Sequence, residues 1–153
     1  MHEGIDIRPM KLSVTGEPLD GVRATASGSV TFVNPIASAS SYGKYIVLIH
    51  NDKGLEVYSL YAHLSIIMDA VKLGAPIKAG DKLGVMGRTA NHEIQASRSH
   101  LHFEIGIVGS YGFDSWVTKH YKDPEFNKFG IWHGYNLLGL DPAGILTAQR
   151  KLK

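Results

Sequence analysis

Short apolar runs separated by glycine are the feature of this sequence that most constrains its fold. Seventeen of the 153 residues are glycine, and many of them fall between apolar runs that are too short for most helices. Glycine adopts the backbone angles of tight turns at little cost. This spacing therefore predicts a mostly β protein, with a compact antiparallel β-sheet scaffold, a cleft and little helix.

The strongest strand signals lie in the middle of the chain. Residues 44–50 (KYIVLIH) and 55–64 (LEVYSLYAHL) flank the turn sequence NDKG, which predicts a hairpin. Residues 100–108 alternate between apolar and polar side chains, as a strand does. Residues 71–87 contain four glycines and predict turns with small strands.

The last third of the chain has a different character. We expect residues 109–140 to form an irregular loop that packs on the sheet through aromatic side chains, namely Tyr111, Trp116, Tyr121, Phe126 and Trp132. Asp141 and Pro142 are typical of a helix start and predict a short C-terminal helix over 142–150. The length favours a single domain over residues 1–153.

Composition excludes several classes of protein. The net charge is +2 and the basic residues are scattered, so we expect no nucleic-acid partner. The chain has no cysteine, which excludes disulfides and thiolate metal sites. No apolar run reaches the roughly 18–20 residues of a membrane span. Met1 leads directly into HEGIDIRP without a signal peptide, so we expect either a cytoplasmic protein or a fragment of a longer chain.

Two short patterns bring together side chains that can bind a metal. In HEGID, His2 and Asp6 point to the same side of an extended segment, and an imidazole with a carboxylate suits zinc; a frayed polar N-terminus is the alternative. In HLH, His100 and His102 share one strand face about 6–7 Å apart, too far for easy chelation of one metal by both. That spacing suits one ligand and one neighbour acting on a metal-activated water, or else two solvated histidines.

His63, at the end of the strand 55–64, completes the set, although alone it could equally be a packed strand-end residue. Taken together, the residues describe a zinc site with two histidines and one aspartate as ligands, an open fourth position, and two further histidines close by. Such a zinc ion keeps a positive charge, polarises a carbonyl group and lowers the pKa of a bound water to about 7. Three protein ligands match hydrolytic rather than structural zinc.

Four segments of the sequence, taken in chain order, resemble the successive motifs of the M23 peptidases, the lysostaphin/LytM-type zinc endopeptidases. They cover residues 2–105 and read HEGID, YGKYIVLIHNDKGLEVYSLYAHLS, VKLGAPIKAGDKLGVMGRT and HLHFEI. The resemblance implies an antiparallel β scaffold and hydrolysis of peptide cross-links in bacterial peptidoglycan. It also implies an extracytoplasmic location, in the periplasm or at the cell surface, and we favour a monomer.

Carried over by position, the resemblance makes His2, Asp6 and His102 the ligands of Zn²⁺. It makes His63 and His100 the catalytic histidines, which orient or deprotonate water and stabilise the oxyanion; their division of roles is left open.

Two further residues of these motifs receive a prediction of their own. Glu104 lies on the same strand face as His102 and either orients an imidazole or is a surface glutamate. We interpret His50 as structural.

The sequence departs from the family pattern at the rim of the cleft. The segment before HLH reads ASRS where relatives often have glycine, and Thr89 is followed by Ala90 rather than glycine. Because the chain starts one residue before His2, we expect a domain excised from, or truncated relative to, a longer protein. Residues 109–140 could supply a second cleft wall.

Two other classes of function are compatible with parts of the sequence. One is a non-catalytic M23-like module that binds cell wall or activates a partner amidase, which would be marked by lost ligands. The other is a biotinyl or lipoyl carrier domain, which the glycine-rich turns of 71–87 resemble. A carrier would need a lysine at a hairpin tip and would leave HEGID and HLH unexplained.

Overall fold

The computed structural model describes residues 4–123 and 126–151. Within these two ranges, ten strands and two helices alternate with short 3₁₀ turns. The strands are β1 (Ile5–Ile7), β2 (Gly21–Arg23), β3 (Gly28–Asn34), β4 (Tyr45–Asp52), β5 (Leu55–Ala62), β6 (Leu64–Ile67), β7 (Pro76–Ile77), β8 (Lys82–Met86), β9 (Leu101–Val108) and β10 (Leu137–Gly139). The helices are α1 (Phe113–His120) and α2 (Pro142–Lys151).

The strands form two antiparallel sheets. The larger sheet has seven strands in the order β1-β9-β5-β4-β3-β7, and β10 also pairs with β9. Because β1 pairs with residues 101–103 of β9 and β10 with residues 106–108, the two short strands share one edge of β9. The smaller sheet has the order β2-β8-β6. The prediction of a mostly β antiparallel scaffold is confirmed.

The predicted hairpin is β4-β5, and its loop consists of two residues. Lys53 and Gly54 both have positive φ, 51° and 89°. Two residues with φ above zero form the turn whose twist matches paired antiparallel strands, and glycine at the second position suits it. The hairpin lies at the centre of the large sheet, next to β9.

Alternation along the central strands produces a core on each face of the large sheet. Ile46, Leu48 and Phe103 face one cluster, which also includes Leu64 and Leu83 of the small sheet. Side chains at the alternate positions of these strands point to the other face of the sheet and contribute to a second cluster, formed by Tyr45, Val47, Tyr58, Leu60, Ala62, Trp132 and Leu137. The C-terminal segment thus covers the second face.

The expectation of an irregular loop over 109–140 is wrong in part. This segment contains helix α1, the 3₁₀ turns Gly130–Trp132 and Gly134–Asn136, and strand β10. Trp132 packs in the core as expected. Tyr111, Trp116 and Tyr121 instead keep 44–62% of their surface exposed.

The helix predicted over 142–150 is present as α2. Neither of the two described helices is long and apolar enough to cross a membrane.

Candidate active site

Strand β9 presents two polar side chains, His102 and Glu104, on the face opposite Phe103. Both are buried, with 8% and 0% of their surface exposed, so the alternative of solvated strand histidines is wrong for His102. Strand β1 pairs Asp6 directly with His102. The Oδ1 atom of Asp6 lies 3.1 Å from His102 Nδ1 and 3.5 Å from His100 Nε2.

Glu104 connects His102 to two tyrosines through hydrogen bonds. Its Oε1 accepts hydrogen bonds from the Tyr42 hydroxyl at 2.6 Å and from His102 Nε2 at 2.8 Å, and its Oε2 accepts one from the Tyr58 hydroxyl at 2.8 Å. Burial by itself would raise the pKa of Glu104, but these three donors outweigh it and lower the pKa. Glu104 is therefore a buried, ionised carboxylate that orients an imidazole, and the interpretation as a surface glutamate is wrong.

The two nitrogens of His102 both face carboxylate oxygens. A neutral imidazole has one N–H, and the shorter contact, Nε2 to Glu104 at 2.8 Å, favours a proton on Nε2; Nδ1 then faces Asp6 at 3.1 Å as a second electron-rich atom. Either a proton or a metal cation satisfies this pair. Burial opposes a charge on His102, but Glu104 and Asp6 outweigh burial and raise its pKa. Nδ1 and Oδ1 are thus two donors suited to one cation, and zinc accepts both types.

His63 lies at the sharp turn between β5 and β6, with a left-handed φ of 58°. Its Nδ1 lies 2.8 Å from the carbonyl oxygen of Thr89. A carbonyl can only accept, so the proton is on Nδ1 and Nε2 is left as an acceptor. Burial, followed by the neighbouring His100, lowers the pKa of His63 to about 4.

His100 has the same tautomer as His63. Its Nδ1 lies 2.7 Å from the carbonyl oxygen of Arg98, so its Nε2 is the acceptor. The rings of His100 and His63 have centroids 4.7 Å apart. Two neighbouring histidines therefore present Nε2, whereas His102 presents Nδ1.

The structure brings Asp6, His63, His100 and His102 into one cluster. The remaining predicted ligand, His2, lies outside the described residues. Within the described ranges, no group of three or more histidine, cysteine, aspartate or glutamate side chains could hold a metal ion.

Sequence reasoning did not identify Tyr42 or Tyr58 as parts of the site, and it placed Thr89 at the rim of the cleft without its contact to His63. Tyr42 is 62 residues from Glu104 in the chain, and no local pattern predicts such a contact.

His50 lies apart from this cluster, with its ring nitrogens near Ser27 O at 2.9 Å and Ser59 Oγ at 2.7 Å. These two contacts join β4 to a loop and to β5.

Two cavities meet at this cluster and share Ser41, Tyr42 and His102. The first, of about 620 Å³, is called here the aromatic lobe; Tyr42, Tyr45, Phe126, Phe129, His133 and Tyr135 contribute its rings. The second, of about 450 Å³, is called the polar lobe; it is lined by His63, His92, Glu93, Gln95, Arg98 and His100, among others. The cluster thus lies where two chemically different arms of a cleft join.

Comparison with known proteins gives one family. Residues 1–113 match the model of peptidase family M23. The catalytic domain of the antimicrobial peptidase lysostaphin from Staphylococcus simulans is 32% identical, with a TM-score of 0.52 over 69% of this chain and 67% of that domain. Against whole lysostaphin, the identity is 32% and the TM-score 0.53, over 70% of this chain but 38% of that protein.

A third structure shares the fold along more of the chain. A Ruminococcus gnavus protein assigned as a glycyl-glycine endopeptidase, LytM, is 22% identical, with a TM-score of 0.58 over 92% of this chain and 45% of that one. No curated protein gave a significant match. The family model covers well over half of the sequence, and its motifs contain the clustered histidines and Asp6: the chain belongs to peptidase family M23.

Proposed function

We propose that the chain is a zinc-dependent endopeptidase that hydrolyses peptide cross-links of bacterial peptidoglycan outside the cytoplasm. The observation that carries the proposal is the clustering of these side chains: Asp6 Oδ1 faces His102 Nδ1 at 3.1 Å, and the rings of His63 and His100 lie beside them, 4.7 Å apart. Family membership and the similarity to the catalytic domain of lysostaphin, a peptidase, support it.

We assign His2, Asp6 and His102 as the zinc ligands, because His102 Nδ1 and Asp6 Oδ1 already face one another and His2 lies four residues before Asp6. Bound zinc supplies a positive charge that polarises a carbonyl group and makes water more acidic. Glu104 fixes His102 for this role, since it takes the Nε2 proton and leaves Nδ1 for the metal.

His63 and His100 serve proton transfer. Each is held by a backbone carbonyl at Nδ1, so each Nε2 can accept a proton from an attacking water and return it to the leaving amine. Their ring separation of 4.7 Å would allow both to act on one substrate. Tyr42 and Ser41, shared by the two lobes, border the position where the scissile bond would lie.

Metal analysis combined with digestion of purified peptidoglycan tests this function. We expect about one zinc per chain, lost in His102→Ala and in Asp6→Ala. His100→Ala should keep its zinc while the hydrolysis rate falls by about 10²–10⁴-fold, the usual contribution of general acid–base catalysis. Mass analysis of the released peptides identifies the bond that is cut.

The exposed histidine His120 on α1 provides the matched control, and His120→Ala should keep both zinc and activity. Full activity in His100→Ala, or a native protein without zinc, would contradict the proposal. A zinc-loaded protein that binds peptidoglycan but never cleaves it would favour the non-catalytic module instead.

A further inference from the structure

The segment 92–97, called here the lobe wall, borders the polar lobe but has few hydrogen bonds to the rest of the chain. With the residue that follows it, it supplies five of the described lining residues, namely His92, Glu93, Ile94, Gln95 and Arg98. All of these except Ile94 are exposed. Among the described residues, one hydrogen bond joins the lobe wall to a residue outside 91–99. In that bond, Arg88 Nη1 donates to the carbonyl oxygen of Ile94 at 2.9 Å.

Arg88 is itself held by Glu17, 71 residues earlier in the chain. Its Nε and Nη2 donate to the Glu17 carboxylate at 2.8–3.2 Å. The pKa of Arg88 is raised, mainly by Glu17 and more weakly by the charge of Glu93 in the lobe wall. A guanidinium group is planar with donors in fixed directions, so a carboxylate bound along one edge sets where the remaining nitrogen points. Glu17 therefore directs Nη1 towards Ile94.

The loop between β1 and β2 gives Glu17 a fixed position. Asp20 Oδ2 accepts from the backbone N–H groups of Met10 and Lys11, both at 2.9 Å, and Ser13 N donates to Glu17 O at 2.8 Å. These contacts close the loop onto itself. The lobe wall is thus connected, through Arg88 and Glu17, to the ordered loop that follows strand β1.

The location of the ion pair matters more than its strength. The side chains of Arg88 and Glu17 are 36% and 45% exposed, and ion pairs as exposed as this add little to stability. The acceptor of His63 does not depend on the pair, because the Thr89 hydroxyl is anchored to the backbone on both sides of it. The pair therefore acts on the arrangement of the lobe wall.

We propose that Arg88, held by Glu17, is a positioning residue that keeps the lobe wall in the arrangement that receives one arm of the substrate. The inference rests on the proposed function, because it takes the polar lobe to be part of the substrate cleft. Without the Arg88 contact, the wall adopts other arrangements for part of the time, and the apparent affinity falls with the fraction that is competent. Bound substrate still reacts at the same rate, so the loss falls on KM and not on kcat.

Kinetics of Arg88→Met test the inference, with purified peptidoglycan solubilised by sonication as the substrate. Methionine keeps an apolar stem but donates no hydrogen bond. We expect KM to rise about threefold or more, the scale set by one ordinary hydrogen bond, while kcat stays within about twofold of the wild type. The melting temperature should fall by less than about 4 °C, since the pair is exposed. Glu17→Ala should raise KM as well, because Arg88 then loses its orientation.

Arg23→Met is the matched control. Arg23 also donates to a backbone carbonyl oxygen, that of Gly80 at 2.8 Å, but neither residue lines a cavity. This variant should keep the wild-type KM and kcat.

Limited proteolysis reports on the lobe wall without peptidoglycan. A glutamyl-specific protease should cut after Glu93 about threefold faster or more in Arg88→Met than in the wild type, with the fragments identified by mass. Wild-type KM in Arg88→Met, a loss confined to kcat, or unchanged cleavage after Glu93 would each overturn the inference.

A sedimentation assay with insoluble peptidoglycan separates this inference from the proposed function. If the wild type bound peptidoglycan without hydrolysing it, binding about threefold weaker in Arg88→Met would refute the endopeptidase and leave the positioning role of Arg88 standing. No binding by the wild type would overturn both.

Discussion

Glu104 shows at the scale of a residue how a buried charge is held in place by its donors. Glutamine at this position keeps one carbonyl oxygen, which cannot accept from Tyr42, Tyr58 and His102 together. We expect Glu104→Gln to lower the free energy of unfolding by about 1–3 kcal/mol, the cost of a buried donor left without a partner. Zinc affinity should fall about 10–100-fold, as for other residues that orient a metal ligand.

Urea denaturation and competition with a zinc chelator measure the two effects. The matched control is Glu56→Gln, an exposed glutamate on the adjacent strand β5, which should change neither quantity. If Glu104→Gln kept wild-type stability and wild-type zinc affinity, the orienting role of the carboxylate would be wrong.

At the scale of an element, the turn that precedes β4 fixes His63 through Thr89. Gly43 has a φ of 62°, and a Cβ there would overlap the Thr89 carbonyl oxygen, which is also the acceptor of His63 Nδ1. The Thr89 hydroxyl bridges Lys44 N and Leu64 O, so the turn and the strand after His63 move together. We expect Gly43→Ala to cost more than about 2 kcal/mol of stability, from the left-handed φ and the overlap together.

The same substitution should also reduce peptidoglycan hydrolysis, because it displaces the acceptor that sets the His63 tautomer. Gly16→Ala separates the two causes, since Gly16 has a φ of 81° but open space around it. It should cost about 1–2 kcal/mol, from the backbone angle alone, and keep full activity. Equal losses in the two variants, measured by thermal unfolding and digestion, would show that the contact with Thr89 has no part in the site.

At the scale of the whole molecule, the sequence predicted correctly the features that depend only on residues close together in the chain. The two-residue turn at Lys53 and Gly54 follows from residue type, and the inward direction of Phe103 follows from the alternation of a strand. Helix α1 was not predicted, because it lacks the usual sequence signals of a helix. Its first turn has no side-chain cap, and Val117 is its one described buried residue, so there is no apolar stripe. The ring contact between Phe113 in this helix and His133 joins residues far apart in the chain, as does the hydrogen bond between Tyr42 and Glu104, and no local pattern encodes either.

The C-terminal segment decides whether the chain folds as the single domain that its length predicts. Leu137 and Leu138 are neighbours in β10, but Leu137 is 1% exposed within the second core cluster and Leu138 is 50% exposed. If this strand completes the common core, Leu137→Ala should lose about 2–5 kcal/mol, and Leu138→Ala should stay within about 0.5 kcal/mol of the wild type. Chemical denaturation followed by both fluorescence and circular dichroism should give one coincident transition in each variant. Two separate transitions, or equally small effects of both substitutions, would mean that the residues beyond β9 fold independently of the sheet. Only if Leu137 is part of a shared core does its truncation lower the free energy of unfolding of the whole chain.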